Sequence, residues 1–378
     1  MDLGLSQLQQ MLKASARGVL ERECPTTLVR EMERDERGYP DSLWSLITEQ
    51  GWLGLVVPES EGGEGGDFVD LCVLLEEMGR YLLPGPFCSN VTEGILPLLE
   101  FGSESQRQSL LPLALRGECI VALAQLEPSA MHDADGIQMT ATPAGGDYIL
   151  SGTKLFVRSA NVANYFIVPA RTSAIAGRPE SGITCFLLPA SADGLTIHSL
   201  DTMGDDRQGE VSFDGVRVSQ GAILGSPEQG WEVVKRVGQY ASVAECAWMA
   251  GGAEAVLDMT VQFVTQRVQF DKPVGSFQAV QHHCANMAID LDASRNITYR
   301  AAWQLAKGDD AEYETALAKG FVSSAYQRIC ELAHQCHGAI GFSMEHDLQL
   351  YTRRAKVSEL AFGNSDVQRE ALARTFER

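Results

Sequence analysis

Apolar residues recur at helical spacing over two long regions of the chain. From Ser6 to about Leu115 the pattern, seen in QLQQMLKASARGVLERE and DFVDLCVLLEEMGRYL, predicts a helical domain. From Pro227 to the C-terminus, long amphipathic segments such as AEAVLDMTVQFVTQRV and AEYETALAKGFVSSAYQRICELAHQC predict a helical bundle. Two helical regions therefore flank a segment with a different pattern.

That middle segment, from Glu118 to roughly Leu224, consists of short β-branched runs. Runs such as YILSGTKLFV, YFIVPART and GEVSFDGVRV are separated by Gly, Pro, Asp or Asn. Strands at this spacing predict a small antiparallel β-barrel or sandwich. The expected fold is α+β, with an N-terminal helical domain (1–117), a central β-domain (118–225) and a C-terminal four-helix bundle (226–378).

Composition excludes several classes of function. The 378 residues carry a formal net charge of −20, which would repel nucleic acid or an anionic membrane. No apolar run approaches transmembrane length, and the first thirty residues lack the apolar core of a signal peptide. Nine scattered cysteines without a CxxC pair favour reduced thiols and a cytoplasmic location.

Two long motifs carry a specific resemblance. RVQFDKPVGSFQAVQHHCANMAIDLDASR (Arg267 to Arg295) and QCHGAIGFSMEHDLQLYTRRAK (Gln335 to Lys356), with the weaker GWLGLVVPESEGGEGG and LEPSAMHDA, resemble the acyl-CoA dehydrogenase family. The similarity spans nearly the whole chain, and the family's three-domain fold agrees with the pattern above. The resemblance implies FAD-dependent dehydrogenation of an acyl-CoA thioester to the trans-2-enoyl-CoA, with electrons passed to an electron-transferring flavoprotein or similar acceptor.

In this family FAD lies between the β-domain and bundle of one subunit, and a neighbour's bundle completes the site. The FAD-binding residues that a subunit of this family donates to its neighbour across that contact are well kept here. Arg267 matches the arginine that pairs with the neighbour's FAD pyrophosphate, and a glycine turn approaches the adenosine end. The matching residues in the two motifs are Arg267, Gln269, Phe277, Gln278, Gln335, Gly338, Ala339 and Gly341, with Ala339 replacing a glycine.

The residues with which a subunit of this family binds its own FAD are mostly replaced here. Leu126 replaces a hydroxyl residue that bonds the flavin pyrimidine edge, and His132 replaces a serine. Phe156 stands where a tryptophan packs on the flavin, and Arg158 where a threonine contacts the N5 region. In the phosphate-facing turn Thr and Gln are replaced by Asn364 and Asp366.

The reaction also needs a carboxylate that removes the α-proton. Phe362 occupies the usual position of this base and has no proton acceptor. Some relatives carry the base on the first bundle helix, at a position that matches Ala241, and Glu245 lies one helical turn later. We predict Glu245 as the base, because its apolar neighbours would raise the pKa of a lone carboxylate.

Other interpretations of the charged residues stay open. Glu245 could instead pair with Lys235, Arg236 or another chain's arginine, or face solvent. We interpret Glu254, further along the helix, as an ordinary surface charge. His337, His346 and Glu345 flank the glycine turn, but no further ligand has suitable spacing, so no metal site is predicted.

Three hypotheses follow. The chain is a complete dehydrogenase acting as a homodimer or homotetramer, or it is one subunit of a heteromer that completes a partner's FAD site. The third hypothesis is a non-catalytic acyl-CoA or flavin-binding protein. The residues that would bind this chain's own FAD are mostly replaced, whereas those donated to a neighbour are kept, and this difference favours the heteromer.

Overall fold

The computed structural model describes residues 4–173 and 177–376, so the extreme ends of the first and third predicted domains lie outside the described residues. The helices are α1 (Gln7–Glu23), α2 (Thr26–Met32), α3 (Asp41–Glu49), α4 (Phe68–Arg80), α5 (Phe87–Ser89), α6 (Leu96–Phe101), α7 (Glu104–Leu115), α8 (Gly230–Gln266), α9 (Gln278–Ala306), α10 (Glu312–His337), α11 (Leu348–Leu360) and α12 (Ser365–Thr375). The strands are β1 (Val121–Leu123), β2 (Thr140–Ala144), β3 (Asp147–Arg158), β4 (Tyr165–Arg171), β5 (Ile183–Pro189), β6 (Leu195–Leu200), β7 (Gln208–Val218), β8 (Ile223–Leu224), β9 (Val268–Gln269) and β10 (Lys272–Pro273). The predicted order of helices, strands and helices is confirmed.

The chain divides into two compact units. The first comprises Met1–Glu31, Asp67–Leu83 and Ser242–Arg378, and the second comprises Met32–Gly66 and Pro84–Ala241. The N-terminal helices are shared between them, since α1 and α4 belong to the first unit and α3, α6 and α7 to the second. The three domain boundaries drawn from the sequence stay a prediction.

In the first unit, local sequence sets where the helices begin. Ser6 caps α1 and Asp67 caps α4, each in a capping box completed three residues later by Gln9 or Asp70. Glycines then allow α4 and α8 to touch through their backbones. A Cβ on Gly251 would lie 1.7 Å from the carbonyl oxygen of Glu76. Any larger residue at this crossing would push the two helices apart.

In the second unit, eight strands form one sheet. The strand order is β6-β7-β3-β2-β4-β5-β8, and β1 pairs with β4. Most pairs are antiparallel as predicted, but β1 and β2 each pair in parallel with β4. The inner face is a core that includes Leu150, Phe166, Phe186 and Phe213.

Two further features of the fold are the state of the cysteine thiols and the hydropathy of the helices. All nine cysteines lie in the described ranges as free thiols, and most are buried. Burial raises the pKa of the Cys185 thiol to about 12, which keeps it protonated and unreactive. Among the described residues, we find no helix with the length and apolar character needed to cross a bilayer.

Candidate functional site

The first motif forms an exposed β-hairpin directly after α8. Strands β9 and β10 are joined by Phe270 and Asp271, both in the left-handed backbone region that two-residue hairpin turns require. The backbone of Arg267 is held at both ends: its N–H donates to Phe263 and its carbonyl accepts from Val274, each at 2.8 Å. Its side chain is exposed and makes no hydrogen bond or ion pair to any described residue.

The second motif forms a tight turn after α10. Gly338 has φ +66°, and no atom lies within 4 Å of where its Cβ would stand. Gly341 is different, because its Cβ would meet His334, His337 and Leu348 at 3.1–3.2 Å. Ala339 and Gln335 are exposed beside them. The outer side of the turn is therefore open, and its inner side is packed.

Aromatic stacking brings the two motifs together within the first unit. The Phe263 ring, one turn before Arg267, stacks on the His337 ring at 4.3 Å between centroids. His346 packs edge-on against the His337 ring at 4.8 Å between centroids. Burial, with smaller contributions from His346 and His334, lowers the pKa of His337 to about 4. His337 is therefore a neutral packing residue at pH 7, and the ends of α8 and α10 are held next to each other.

The remaining predicted residues of this half are also at the surface. Gln269 and Gln278 are exposed, and Phe277 is half-buried beneath the ammonium of Lys272, which lies 4.4 Å from its ring centroid. The same region carries exposed apolar side chains, with Phe270 at 85% and Phe342 at 71% exposure. Such a concentration of exposed aromatic residues is typical of a surface that meets another molecule.

In the second unit, the end of β3 carries Phe156 and Arg158, two of the residues that replace the family's FAD-binding side chains. The β3–β7 register shifts between Lys154 and Val157, and Phe156 within that shift has φ +54°. A left-handed backbone at a bulky residue is strained, and strain of this kind concentrates at functional sites. The strained strand holds the Phe156 ring 50% exposed. Phe156 is thus oriented outward, as a residue that packs on a planar ligand would be.

A buried ion pair joins β3 to the loop that contains Leu126. Lys154 is fully buried, and its Nζ donates to Glu127 Oε1 at 2.7 Å and to the carbonyls of Gln125 and Pro169. Burial lowers the pKa of Lys154, while the Glu127 carboxylate acts in the opposite direction. The Leu155 N–H also donates to the Leu126 carbonyl at 2.8 Å. The two segments that carry Leu126 and Phe156 are therefore adjacent.

Glu93 is a residue of this region that the sequence analysis missed. It lies in a π-helix, Asn90–Ile95, and its side chain is only 2% exposed. Its Oε1 lies 3.5 Å from Nη1 of Arg158, which the sequence analysis had singled out. A single acidic residue within the otherwise uncharged run NVTEGILPLL was the available sign that its carboxylate has a buried role.

The two candidate positions for a catalytic base lie in the first unit. Phe362 has φ +56° in the turn between α11 and α12, and its carbonyl accepts from Gln368 at 2.7 Å. The buried ammonium of Lys319 donates to the carbonyls of Glu359 and Gly363 on either side. Asn364 caps α12 through its side chain, and Asp366 is exposed. The turn is well held, but no carboxylate projects from position 362.

Glu245 lies on α8 and is only 5% exposed, so the interpretation that it faces solvent is wrong. Burial raises the pKa of the adjacent Cys246 thiol to about 12, with Lys319 lowering it and Glu245 raising it further. The Glu245 carboxylate and the Lys319 ammonium thus both act on the same buried thiol. Its role as the base stays a prediction.

Glu254 is not the ordinary surface charge that we expected. Its carboxylate lies 2.8–3.0 Å from Arg17, Arg80 and Arg295. Burial acts to raise the pKa of Glu254, but Arg295 and Arg80 lower it to about 2. Local sequence gives no sign of these partners, because they come from other helices of the first unit.

Glu254 also belongs to the one group of metal-compatible ligands among the described residues. It lies with Glu76 and Glu77, whose carboxylates come within 4.8 Å of one another and of Glu254. Lys13 and the three arginines already contact these carboxylates. The protein's own cations balance the charge that a metal ion would otherwise neutralise.

Comparison with known proteins assigns the class. Three sequence profiles match in order: Acyl-CoA dehydrogenase, N-terminal domain over residues 6–118, middle domain over 122–216 and C-terminal domain over 228–376. Together they cover almost the whole described chain. The chain belongs to the acyl-CoA dehydrogenase family of oxidoreductases.

Individual relatives support this assignment over their full lengths. The chain is 30% identical over 382 residues to the probable acyl-CoA dehydrogenase YngJ of Bacillus subtilis, covering 99% of each chain. The butyryl-CoA dehydrogenase structure from Megasphaera elsdenii matches with a TM-score of 0.92 and 29% identity, covering 100% of both chains. The ChsE4–ChsE5 complex from Mycobacterium tuberculosis matches with a TM-score of 0.91 and 27% identity, covering 100% of this chain and 99% of the other.

Proposed function

We propose that this chain is a cytoplasmic subunit of an FAD-dependent acyl-CoA dehydrogenase, and that it completes the FAD site of a neighbouring subunit. The observation that carries the proposal is the exposed Arg267 side chain, which has no partner among the described residues although its backbone is held. A guanidinium in this state can bind phosphate oxygens in a bidentate fashion. The similarity to one chain of the ChsE4–ChsE5 complex supports a heteromeric assembly.

The described residues fit one half of an FAD site. Arg267 offers charge, Gln335 and Gln269 offer exposed amides, and the open side of Gly338 leaves room for a ligand close to the backbone. Leu126, Phe156 and Arg158 do not supply the hydroxyl and indole groups of the other half. When bound, FAD would accept hydride from the β-carbon of the acyl group and pass electrons to an electron-transferring flavoprotein.

A second function is favoured by the burial of Glu245. A carboxylate that is 5% exposed on α8 is shielded from water, as a base for an unactivated C–H bond must be. On this alternative, the chain is a complete homodimeric or homotetrameric dehydrogenase, and Glu245 removes the α-proton of its own acyl-CoA. The two proposals differ in whether flavin is held by this chain alone.

Flavin content separates them. We would purify the chain alone and as the assembly recovered from its source cells, and measure flavin absorbance, mass and dye reduction with a panel of acyl-CoA thioesters. The heteromer predicts a colourless chain, a yellow assembly, and loss of flavin from that assembly with Arg267→Gln. The control is Arg328→Gln, which removes an exposed arginine of the same unit paired with Asp290.

Two results would contradict the heteromer. One is a yellow homo-oligomer that reduces dye with an acyl-CoA and loses turnover, but not flavin, with Glu245→Gln. The other is an assembly in which Arg267→Gln and Arg328→Gln retain equal amounts of flavin, because the arginine would then have no contact with the cofactor.

A further inference from the structure

Two side-chain bridges fasten the end of β3 to the helical segment 87–95 within the second unit. The hydroxyls of Ser89 and Ser159 lie 3.0 Å apart. One helical turn further along, Glu93 pairs with Arg158 at 3.5 Å. Residues i and i+4 of the helical segment thus contact two successive residues of the strand end. The position of Arg158 depends on how firmly each side is held.

The Glu93 side is held by close packing. All six residues of the π-helix Asn90–Ile95 are buried, and π-helices are rare and are frequently found at functional sites. Asn90 Oδ1 accepts a hydrogen bond from the Val121 N–H at 3.0 Å. A Cβ on Gly94 would lie 2.7 Å from the Val121 carbonyl oxygen, so the backbone meets β1 directly. The Glu93 carboxylate therefore cannot follow Arg158 if the guanidinium moves outward.

The Arg158 side is held by the strand. Ser159 has φ +57°, and its N–H donates to the Arg207 carbonyl at 2.8 Å. The side chain of Arg158 is 24% exposed, so its guanidinium lies between solvent and the buried carboxylate. Breaking the pair would leave a carboxylate charge in a site that is nearly closed to water, which is strongly unfavourable.

We propose that the Glu93–Arg158 ion pair closes this chain's own flavin site. The inference rests on the proposed function, in which Arg158 takes the place of a threonine beside the flavin N5 region. A threonine hydroxyl would be a small donor for the ligand, whereas the guanidinium is large and is held by Glu93. The pair is a specificity determinant, since it decides which subunit's half-site takes FAD. This chain then contributes its hairpin and glycine turn while binding no flavin of its own.

The test is an FAD titration of the purified chain, followed by flavin fluorescence. Glu93→Gln/Arg158→Thr removes both charges, so that neither is left buried alone. We expect this variant to bind FAD at least about tenfold more tightly than the wild type, a change of about 1.4 kcal/mol. The matched control is Asp147→Asn/Arg217→Thr, which removes a pair at 2.8 Å between the exposed ends of β3 and β7. The control should not change FAD affinity.

Two further variants keep the result interpretable. Arg158→Lys preserves the opposite charges and should leave FAD affinity at the wild-type level. Glu93→Gln alone releases the guanidinium and should tighten FAD binding. This single variant can be titrated even if the double variant is too unstable to stay folded. The proposal is overturned if both Glu93 variants bind FAD as the wild type does, or if the wild-type chain alone binds FAD as tightly as its assembly.

Adding Arg267→Gln to the double variant separates this proposal from the proposed function. If the gained FAD affinity disappears, the opened site uses a neighbour's hairpin and both proposals stand. If the gain persists, the closure stands but Arg267 does not contact FAD. If no gain occurs while the assembly's flavin still depends on Arg267, the proposed function stands and the closure is wrong.

Discussion

The two regions that match FAD-binding motifs of the family differ in whether their charged side chains have internal partners. In the hairpin and turn of the first unit, Arg267 is exposed and has no side-chain partner among the described residues. In the second unit, Arg158 is paired with the buried Glu93 and Lys154 with the buried Glu127. A charged side chain with no internal contact is available to bind another molecule. A charged side chain paired with a buried carboxylate stabilises the fold.

The largest expected effect comes from breaking the most buried of these pairs. Lys154→Met removes an ammonium that donates to Glu127 and two carbonyls, and it leaves the carboxylate buried. We expect the free energy of unfolding to fall by about 3–5 kcal/mol, measured by urea denaturation. Adding Glu127→Gln should recover part of the loss, since a neutral amide is less costly to bury.

The matched control lies in the other region. Lys272 is exposed on the hairpin above the Phe277 ring, and Lys272→Met should change the free energy of unfolding by less than about 1 kcal/mol. Equal effects of the two substitutions would contradict the comparison, because they would show that the hairpin charges are as important to the fold as the buried pairs.

The second effect concerns α8, the helix that leads to Arg267. Burial opposes ionisation of Glu254, but Arg295 and Arg80 lower its pKa from 4.5 to about 2. A pKa lowered in the folded state stabilises the protein fully above about pH 4.5, and the benefit is lost as pH falls toward 2. Glu254→Gln should therefore reduce the free energy of unfolding at pH 7 by about 2–3 kcal/mol.

The pH profile is the decisive measurement for Glu254. Urea denaturation between pH 7 and pH 3 should show a steeper loss of stability for the wild type than for Glu254→Gln. The control is Asp366→Asn, which removes an exposed carboxylate 85% accessible to solvent and paired with Arg369 in the next turn. Parallel profiles for wild type and Glu254→Gln would show that the network does not anchor α8.

The sequence predicted the elements whose signals are local. Helical periodicity and the capping residues Ser6 and Asp67 lie within a few positions of the elements that they define. Strand β2, with the sequence TATPA, and the two-residue β8 were not predicted. Strand β2 contains a proline and β8 has only two residues, so neither gives the sequence signal of an independent strand, and both are defined by their pairing with other strands.

The candidate site was predictable where a motif sets the backbone, and unpredictable where distant charges meet. The turn at Gly338 follows from a short contiguous motif, whereas the hairpin formed by β9 and β10 after Arg267 was not predicted. Glu254 bonds to Arg17, 237 residues away, and no spacing rule connects them. Glu93 was missed for the same reason, because Arg158 comes from a different element. The burial of Glu245 was foreseeable from its apolar neighbours on α8.

The third effect tests the backbone of the glycine turn. Gly338 adopts φ +66° with open space around its missing Cβ, so Gly338→Ala introduces backbone strain without a steric clash. Its ψ of −147° places it near a backbone region that essentially only glycine adopts, so we expect a loss of about 1–3 kcal/mol in the free energy of unfolding, measured by urea denaturation. Gly238→Ala is the control, since Gly238 lies inside α8 with open space and Ala favours a helix by about 1 kcal/mol. A stable Gly338→Ala variant would mean that the turn does not require this backbone conformation.

The smallest effect is the one on which the comparison depends most. Arg267 is exposed, and among the described residues its side chain has no partner to lose, so Arg267→Gln should change the free energy of unfolding by less than about 0.5 kcal/mol. Urea denaturation of the purified chain measures this directly, with Arg158→Gln as the contrasting variant, because that substitution leaves Glu93 buried without its guanidinium. If Arg267→Gln were as destabilising as Arg158→Gln, the arginine would have an internal role. Its exposure could then no longer be taken as a sign that it binds a neighbour's cofactor.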